Sequence, residues 1–325
     1  MKELADSIRN FSNKKILVLG DVMLDWYLLT KVNRLNPEIH SVILANYFNE
    51  EYRLGGAANV ANNLALLGAK TYLMGLTGRD FHGRKLIELC NKESISFSSF
   101  DSEEPTIVKQ RIYADGNYKL RIDFGENNLK KTDPYIQKNI LKEIKKSTIK
   151  FDAVILSDYN KHFFAEGFTQ EIINMFNKIG IKIFADPKPE NINLFRNCYL
   201  VSPNLKEAEK ITGIPFSDKE SLEKMAIQLS KRLNIERVII TCGEKGVFGY
   251  DSKTKYKSFM ETKAKEVSDQ TGAGDTFIAA YTLADVSDFV FDDSLEIANS
   301  AAGVVVGKVG TATLTQEELI NSLMQ

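Results

Sequence analysis

The sequence predicts an α/β protein in which a mostly parallel sheet is covered by helices on both faces and carries a small β-sheet as a lid. Three observations predict this fold. Short apolar segments of strand length alternate with amphipathic segments of helical length. The chain has 325 residues, 43% hydrophobic and 26% charged, a composition typical of a globular protein with a substantial core. An Asp-Gly pair between two β-prone runs interrupts the alternation. We expect one large domain over residues 1–325.

The alternation begins with a buried strand over residues 15–19 and a helix over residues 57–67, where apolar residues recur at helical spacing. Further strands are predicted over residues 71–76, 153–156, 182–185, 199–202 and 238–241, and further helices over 81–91, 165–178, 221–233 and 276–284. Parallel sheets of this kind place their sites at the carboxyl ends of the strands. The polar residues that follow predicted strand ends are Asp21, Asp158, Asp186 to Lys188, Asn204 and Gly243.

The lid is predicted from strands inserted at about residues 26–50 and 105–125. Residues 106–113 and 118–124 flank Asp115-Gly116, a strong signal for a two-residue hairpin turn. In that hairpin Tyr113 would face Tyr118, Arg111 would face Leu120, and Lys109 would face Ile122. These six side chains would share one face. The residues expected on the solvent face are Gln110, Lys119, Arg121 and Asp123.

Two cations on an apolar, aromatic face are costly unless they meet an anion. We therefore expect Lys109 and Arg111 to contact an anionic group of the substrate, Arg111 by a bidentate contact. The alternative is that both side chains extend to the rim of a dimer contact.

Several classes of protein are excluded by composition. Lys and Arg number 42 against 43 Asp and Glu, so the basic face of a nucleic-acid-binding protein is not expected. The three cysteines and three histidines are widely separated, which suits neither a disulfide framework nor a metal cluster. No signal peptide and no apolar stretch of membrane-spanning length is recognised. We expect a cytoplasmic protein without membrane partners.

The strongest motif is Asp-Gln-Thr-Gly-Ala-Gly-Asp at residues 269–275, directly before a predicted helix. The backbone N–H groups of Gly272, Ala273 and Gly274 could point at one anion, with help from the helix dipole. Asp275 could take a proton from a hydroxyl that attacks this anion. The alternative is a Gly-rich turn with an acidic residue in the first helical turn.

Three further motifs accompany it: Gly55-Gly-Ala-Ala-Asn59, Asn204-Leu-Lys-Glu207 and Thr241-Cys-Gly-Glu-Lys-Gly246. With these four motifs in order over nearly the whole chain, the sequence resembles the ribokinase (PfkB-type) family of sugar kinases. The resemblance implies a ribokinase-like fold, a carbohydrate kinase that uses ATP and Mg²⁺, and a homodimer formed through the lid.

Within that family the chain most resembles the bacterial heptose 7-phosphate kinases. The segments behind this resemblance are residues 20–25, 36–38, 55–60, 156–159, 186–188, 202–204 and 301–310. It implies transfer of the ATP γ-phosphoryl group to the anomeric hydroxyl of a heptose 7-phosphate in ADP-heptose biosynthesis, which supplies the lipopolysaccharide core. Such kinases often precede a nucleotidyltransferase domain. The sequence ends soon after Gly310, so we expect that activity in a separate protein. Residues 39–42 read Ile-His-Ser-Val where the family usually has Ala-Pro-Val-Pro.

The motifs and the resemblance together assign the site. The catalytic residues are Asp275 as general base and Gly272, Ala273 and Gly274 as the anion hole. The substrate-binding residues are Asp21, Asp25, Gly55, Gly56, Asn59, Lys109, Arg111 and Asp158. The ATP-binding residues are Asp186, Lys188, Asn204, Leu205, Lys206, Glu207, Thr241, Gly243, Gly246, Asn299 and Gly303. Asn204 and Glu207 are assigned to Mg²⁺ indirectly, through water.

Two alternatives stay open at this point. The chain could phosphorylate another sugar or sugar phosphate, or it could be an inactive sugar-binding regulator on the same fold. Other nucleotide-binding motifs are disfavoured. In residues 303–309, three residues separate Gly303 from Gly307, where a P-loop has four between its glycines. No Ser or Thr follows Lys308. No Gly-x-Gly-x-x-Gly follows the first strand, as a Rossmann dehydrogenase would require.

Overall fold

The computed structural model describes residues 7–35, 43–126, 129–262, 270–308 and 310–324. The strands are β1 (Lys15–Gly20), β2 (Val22–Leu35), β3 (Ile43–Gly56), β4 (Lys70–Gly78), β5 (Ser96–Ser102), β6 (Val108–Ala114), β7 (Asn117–Phe124), β8 (Ala153–Ser157), β9 (Lys182–Asp186), β10 (Leu200–Val201), β11 (Arg237–Thr241), β12 (Val247–Asp251) and β13 (Tyr256–Met260). The helices are α1 (Ala57–Leu66), α2 (Phe81–Lys92), α3 (Pro134–Lys146), α4 (Phe168–Lys178), α5 (Leu205–Thr212), α6 (Lys219–Leu233), α7 (Ala273–Asp285), α8 (Phe291–Val306) and α9 (Gln316–Met324).

The main sheet has nine strands in the order β13-β12-β11-β10-β9-β8-β1-β4-β5. Its strands from β11 to β5 run parallel, and β12 and β13 add an antiparallel edge. The predicted mostly parallel sheet is therefore confirmed. The sequence analysis did not predict β5, β12 or β13.

Two hydrophobic cores lie on opposite faces of this sheet, because side chains of a strand alternate between faces. In β1, Ile16 and Val18 pack with helices α1, α7, α8 and α9 on one face. Leu17 and Leu19 pack with α3, α4 and α6 on the other. Both faces are thus covered, which explains why the strands read as continuous apolar runs.

A second sheet of four strands, in the order β3-β2-β6-β7, stands apart from the main sheet. We call it the small sheet. β2 and β3 are fourteen residues each and pair antiparallel, and β2 pairs parallel with β6. Asp115 and Gly116 form the predicted turn between β6 and β7, both with positive φ, as the tight hairpin turn requires.

One prediction about this hairpin is wrong. The register shifts between Ile112 and Tyr113, so Arg111 lies opposite Arg121 and Lys109 opposite Asp123. An irregularity of one residue moves all following side chains to the other face. Leu120 and Ile122 therefore leave the face of Lys109 and Arg111, and Arg121 and Asp123 join it. Gln110, expected to face solvent, is buried.

No helix in the described ranges combines the length and the apolar character needed to cross a membrane.

Candidate active site

The carboxyl ends of β1, β8 and β9 meet at one edge of the main sheet. Gly20 of β1 is in register with Ser157 of β8, which is in register with Asp186 of β9. The residues after these strands therefore gather in one place, as parallel topology requires. This edge, facing the small sheet, contains the predicted site residues.

Asp275 lies in the first turn of α7, buried with 3% exposure. Its Oδ2 accepts a hydrogen bond from Asn59 Nδ2 at 2.8 Å, and its Oδ1 accepts one from the Tyr159 hydroxyl at 2.6 Å. Burial raises the pKa of Asp275 to about 6, although both hydrogen bonds act to lower it. A carboxylate in this state is ionised at neutral pH and can accept a proton.

The turn before α7 differs in one respect from the expected anion hole. The N–H of Ala273 donates to the carbonyl of Gln270 at 3.3 Å, so it closes the turn. Gly272 has φ 84°, and a Cβ there would lie 3.0 Å from Asn59 Nδ2. Glycine is therefore required for the close approach to Asn59. Gly274 is exposed, and a Cβ there would meet open space. Asp269 of this motif lies outside the described residues.

Two predicted substrate-binding residues, Asn59 and Asp21, have hydrogen-bond partners within the protein. Asn59 is fully buried and holds Asp275. Asp21 is 4% exposed and accepts hydrogen bonds from the backbone N–H groups of Tyr159, Lys161 and Phe163. Burial and the nearby Asp158 raise the pKa of Asp21 to about 6. Asp21 therefore anchors the loop after β8, which we call the 158–163 loop.

Asp158, also predicted to bind substrate, is 1% exposed and supports the neighbouring turn. Its Oδ2 accepts the backbone N–H of Lys188 at 2.9 Å, and both oxygens accept from Asn191 Nδ2. It therefore positions the Asp186-Pro-Lys188 segment.

Lys188 carries its charge close to several carboxylates. Its Nζ donates to Glu207 Oε1 at 2.6 Å. Burial alone would lower the pKa of Lys188, but Asp186 and Glu207 raise it above its ordinary value. Burial raises the pKa of Asp186 to about 8, and the carboxylates of Glu207 and Asp275 add to this rise against the opposing effect of Lys188.

Asn204 and Glu207 form a capping box at the start of α5. The Asn204 side chain accepts the Glu207 N–H at 3.0 Å, and Glu207 Oε2 accepts the Asn204 N–H at 2.9 Å. Both Glu207 oxygens thus already have donors. The part of the chain that the structure describes contains no cluster of three or more Asp, Glu, His or Cys residues suited to a metal. This donor set fits Mg²⁺ only if phosphates and water supply most of its ligands.

A cavity of about 410 Å³ opens beside the first turn of α7. Ala273 and Gly274 line it on the side of Asp275. Most of the residues predicted to bind ATP line it: Asn204, Leu205, Lys206, Thr241, Gly243, Gly246, Asn299 and Gly303. Asp186, Lys188 and Glu207 lie outside its lining. The cavity has the location that a nucleotide would need to present its phosphates to Asp275.

On the small sheet, Arg111 and Asp25 form a buried ion pair. Arg111 Nη1 lies 2.5 Å from Asp25 Oδ1, and the two side chains are 10% and 4% exposed. Thr311 donates its hydroxyl to Asp25 Oδ2, and its N–H donates to the Tyr27 hydroxyl at 2.6 Å. The small sheet is therefore joined to the segment before α9. Arg111, expected to contact a substrate anion, is already neutralised by Asp25.

Gly55 and Gly56, at the end of β3, pack closely against Asp25 and Asp21. A Cβ at Gly55 would lie 3.0 Å from Asp25 Oδ2, and one at Gly56 would lie 2.4 Å from the backbone carbonyl oxygen of Asp21. Gly56 also has φ 58°. Contact with the Asp25 side chain explains Gly55, and a positive φ with close approach to the Asp21 backbone explains Gly56.

Lys109 differs from Arg111, because no ion pair joins it to a carboxylate among the residues that the structure describes. Its Nζ lies 5.7 Å from the centre of the Tyr159 ring. Lys109 is half-buried, and burial lowers the pKa of its ammonium, although the carboxylates of Glu126 and Asp25 act to raise it. A partly buried cation without an ion pair to a carboxylate is available to an anionic ligand.

Sequence reasoning missed Tyr159, Tyr27 and Thr311 as site residues. Tyr159 follows β8 directly, so the rule that sites lie at strand ends could have found it. Thr311 is 284 residues from Tyr27, and only the fold brings them together. Residues 36–42 lie outside the described residues, and they include both the resembling segment 36–38 and the departure from the family pattern at 39–42.

A family model and curated relatives both match nearly the whole chain. A family model described as "pfkB family carbohydrate kinase" matches residues 13–318. The chain is 38% identical over 317 residues to the bifunctional protein HldE of Histophilus somni (strain 129Pt), covering 96% of this chain and 64% of that protein. It is 37% identical over 311 residues to the bifunctional protein HldE of Sulfurimonas denitrificans, covering 94% of this chain and 63% of that protein. The chain thus spans slightly less than two thirds of the length of these relatives.

Solved structures show the same fold at low sequence identity. Phosphofructokinase-2 from Escherichia coli in complex with potassium superposes with a TM-score of 0.79 at 17% identity, covering 96% of this chain and 98% of that chain. Ribokinase from Arabidopsis thaliana, complexed with ribose and ATP, superposes with a TM-score of 0.73 at 20% identity, covering 96% and 99%. The expected ribokinase-like arrangement of sheets is confirmed.

Proposed function

The chain belongs to the pfkB family of carbohydrate kinases, and we propose that it transfers the γ-phosphoryl group of ATP to the anomeric hydroxyl of D-glycero-D-manno-heptose 7-phosphate. The product would be the 1,7-bisphosphate, a precursor in ADP-heptose biosynthesis. Family membership bears out the resemblance seen in the sequence and the expectation of a carbohydrate kinase. The choice of heptose 7-phosphate rests on the sequence resemblance and is supported by the HldE relatives.

The observation that carries the proposed reaction is the position of Asp275. This buried carboxylate lies in the first turn of α7, beside the cavity that Ala273 and Gly274 line. A nucleotide in that cavity would bring its terminal phosphate to the helix N-terminus, where backbone N–H groups and the helix dipole favour negative charge. A sugar hydroxyl between Asp275 and that phosphate could then react.

In the proposed step the anomeric oxygen attacks the γ-phosphorus and loses its proton to the Asp275 carboxylate. The bond from the γ-phosphorus to the bridging oxygen breaks, and ADP leaves with that electron pair. Lys188 stabilises charge on the phosphates from the side of α5, where Glu207 holds its ammonium. The small sheet covers the sugar and excludes water.

Mg²⁺ bound with ATP would supply further neutralisation of phosphate charge. The residues that would hold it are Asn204 and Glu207, through water, as the occupied oxygens of the capping box require. Burial is the main cause of the raised pKa of Asp186, and the carboxylates of Glu207 and Asp275 add to it, so a cation bound nearby would favour the ionised form of Asp186.

The distal phosphate of the substrate is assigned to Lys109. Lys109 is half-buried, and its Nζ lies 5.7 Å from the centre of the Tyr159 ring, on the site side of the small sheet. Asp25, held by Arg111 and Thr311, is assigned to sugar hydroxyls. The revised assignment makes Arg111 a support for Asp25, with Lys109 as the phosphate contact.

We assign the enzyme to the cytoplasm, as a homodimer through the small sheet. Tyr118, Leu120 and Ile122 of β7 and Tyr47 and Phe48 of β3 are exposed large apolar side chains on this sheet. A second copy of the chain would cover them. Light scattering after gel filtration tests this, and a monomeric mass at micromolar concentration would contradict it.

A coupled assay of ADP release against phosphorylated heptoses, hexoses and pentoses tests the proposed function. We expect the highest kcat/KM with heptose 7-phosphate. A higher value with another sugar phosphate would identify a different kinase of the family. Absence of sugar-stimulated ATP turnover with every sugar would indicate an inactive sugar-binding regulator.

A further inference from the structure

Tyr159 connects three parts of the site. Its backbone N–H donates to Asp21 Oδ2 at 2.8 Å, which fixes the residue at the carboxyl end of β8. Its hydroxyl donates to Asp275 Oδ1 at 2.6 Å, across 116 residues of sequence. The same residue is thus held at its backbone and directed at Asp275 by its side chain.

Two lysines surround the Tyr159 ring. The ammonium of Lys188 lies 5.4 Å from the ring centre and that of Lys109 lies 5.7 Å from it. Both distances are within the range of a cation–π contact. Lys188 belongs to the segment after β9 and Lys109 to β6, so the ring is in contact with both the nucleotide side and the sugar side of the site.

The hydrogen bonds at Asp275 determine how its carboxylate can act. Asn59 donates to Oδ2 and Tyr159 donates to Oδ1, so each oxygen has one fixed donor. An ionised carboxylate has about four acceptor positions, which leaves capacity for a substrate hydroxyl. Burial raises the pKa of Tyr159 well above its ordinary value, and the nearby Asp275 and Asp186 add to that effect. The hydroxyl therefore remains a donor throughout the neutral pH range.

We propose that Tyr159 is a positioning residue of the phosphoryl transfer, whose hydroxyl fixes the orientation of the Asp275 carboxylate toward the attacking sugar hydroxyl. The inference rests on the proposed role of Asp275 as general base. Asp21 contributes by anchoring the 158–163 loop, and Lys109 and Lys188 restrain the ring.

This role has a consequence for the pH dependence of the reaction. A hydrogen bond to the ionised form of an acid stabilises that form, so its removal raises the pKa. Asn59, Lys188 and Asp25 also act on Asp275, and the Asp186 carboxylate interacts with it. All four groups remain when only the Tyr159 hydroxyl is removed. The acid limb of the rate profile should therefore move to higher pH.

The test is Tyr159→Phe, which keeps the ring and removes the hydroxyl. We expect kcat at pH 7 to fall by about 10–100-fold, the usual effect of losing a hydrogen bond to a charged group. The midpoint of the acid limb should rise by about one pH unit. Part of the lost rate should return as the pH is raised. Thermal unfolding checks that the variant folds.

Tyr256→Phe is the matched control. The Tyr256 hydroxyl also donates to a carboxylate, Asp292 Oδ2, at 2.6 Å. This hydrogen bond is exposed and lies at the edge strand β13, away from Asp275. Removal of this hydroxyl should leave the rate and its pH profile unchanged. If Tyr159→Phe lowers kcat by the same factor at every pH, or leaves it unchanged, the positioning role is wrong.

Asp275→Asn separates the two proposals. If Tyr159 acts through Asp275, Tyr159→Phe should cause no further loss in the Asp275→Asn background. A full additional loss there would contradict the role of Tyr159. If Asp275→Asn alone keeps the normal rate, Asp275 is not the general base of the proposed reaction, whatever the result at Tyr159.

Discussion

Asn59 Nδ2 donates a hydrogen bond to Asp275 Oδ2 at 2.8 Å, although 216 residues separate them. The bond joins the start of α1 to the start of α7. Both residues are buried, so neither bond partner can be replaced by water at low cost. The two Gly-rich motifs of the sequence thus meet at one carboxylate, with Asn59 as its support.

Asp275→Asn is the first prediction. The variant keeps the size of the side chain but cannot accept a proton, so kcat should fall by about 10²–10⁴-fold. Nucleotide affinity, measured by calorimetry, should change little, because the cavity is lined by other residues. A kcat near that of the unchanged protein would remove Asp275 from the mechanism.

Glu207→Gln should raise the Mg²⁺ concentration for half-maximal rate by about tenfold, because residues around a metal commonly tune its affinity by that order. Glutamine can keep the capping box, so helix α5 should remain intact. Glu190→Gln, at the exposed pair with Lys210, removes the same charge elsewhere and serves as control. Superimposable Mg²⁺ titrations of all three proteins would limit Glu207 to its roles in the capping box and in the contact with Lys188.

Lys109→Met should raise KM for the phosphorylated sugar by about tenfold or more, the loss expected for a charge-assisted contact. KM for ATP should change little. Lys119→Met, on the exposed part of the same hairpin, is the control. An unphosphorylated heptose should be used equally well by Lys109→Met and the unchanged protein. If KM rises by the same factor for the phosphorylated and the unphosphorylated heptose, Lys109 does not contact the distal phosphate.

Arg111→Ala should destabilise the fold by about 3–5 kcal/mol, because it leaves the buried carboxylate of Asp25 without its cation. Arg121→Ala removes a neighbouring arginine of the same hairpin, whose side chain is 46% exposed and whose partner Asp123 is 28% exposed. That control should cost at most about 1 kcal/mol. Urea unfolding measures both. Equal values for the two variants would show that the Asp25 pair contributes little.

The sequence could predict those features that depend on local patterns. Apolar runs predicted β1, β8 and β9, whose carboxyl ends bring Asp21, Asp158 and Asp186 to one edge. The Asp115-Gly116 pair predicted the hairpin turn, because few residues adopt its positive φ angles.

Other features depend on tertiary contacts that no local pattern shows. The register shift after Ile112 moved Leu120 and Ile122 to the opposite face, and nothing in the alternation indicated it. Asp21 looks like a residue for sugar hydroxyls, yet three backbone N–H groups of the 158–163 loop occupy it. Which carboxylates face a ligand is decided by how the loops pack.

The position of the new phosphate on the product tests the proposed reaction most directly. The protein is incubated with Mg-ATP and heptose 7-phosphate, and the product is examined by proton-coupled phosphorus NMR. We predict a second sugar-phosphate resonance coupled to the anomeric proton, an unchanged resonance for the phosphate at carbon 7, and one ADP per sugar consumed. A new phosphate on any other carbon, or no transfer to this sugar while another sugar phosphate reacts, would contradict the proposed function.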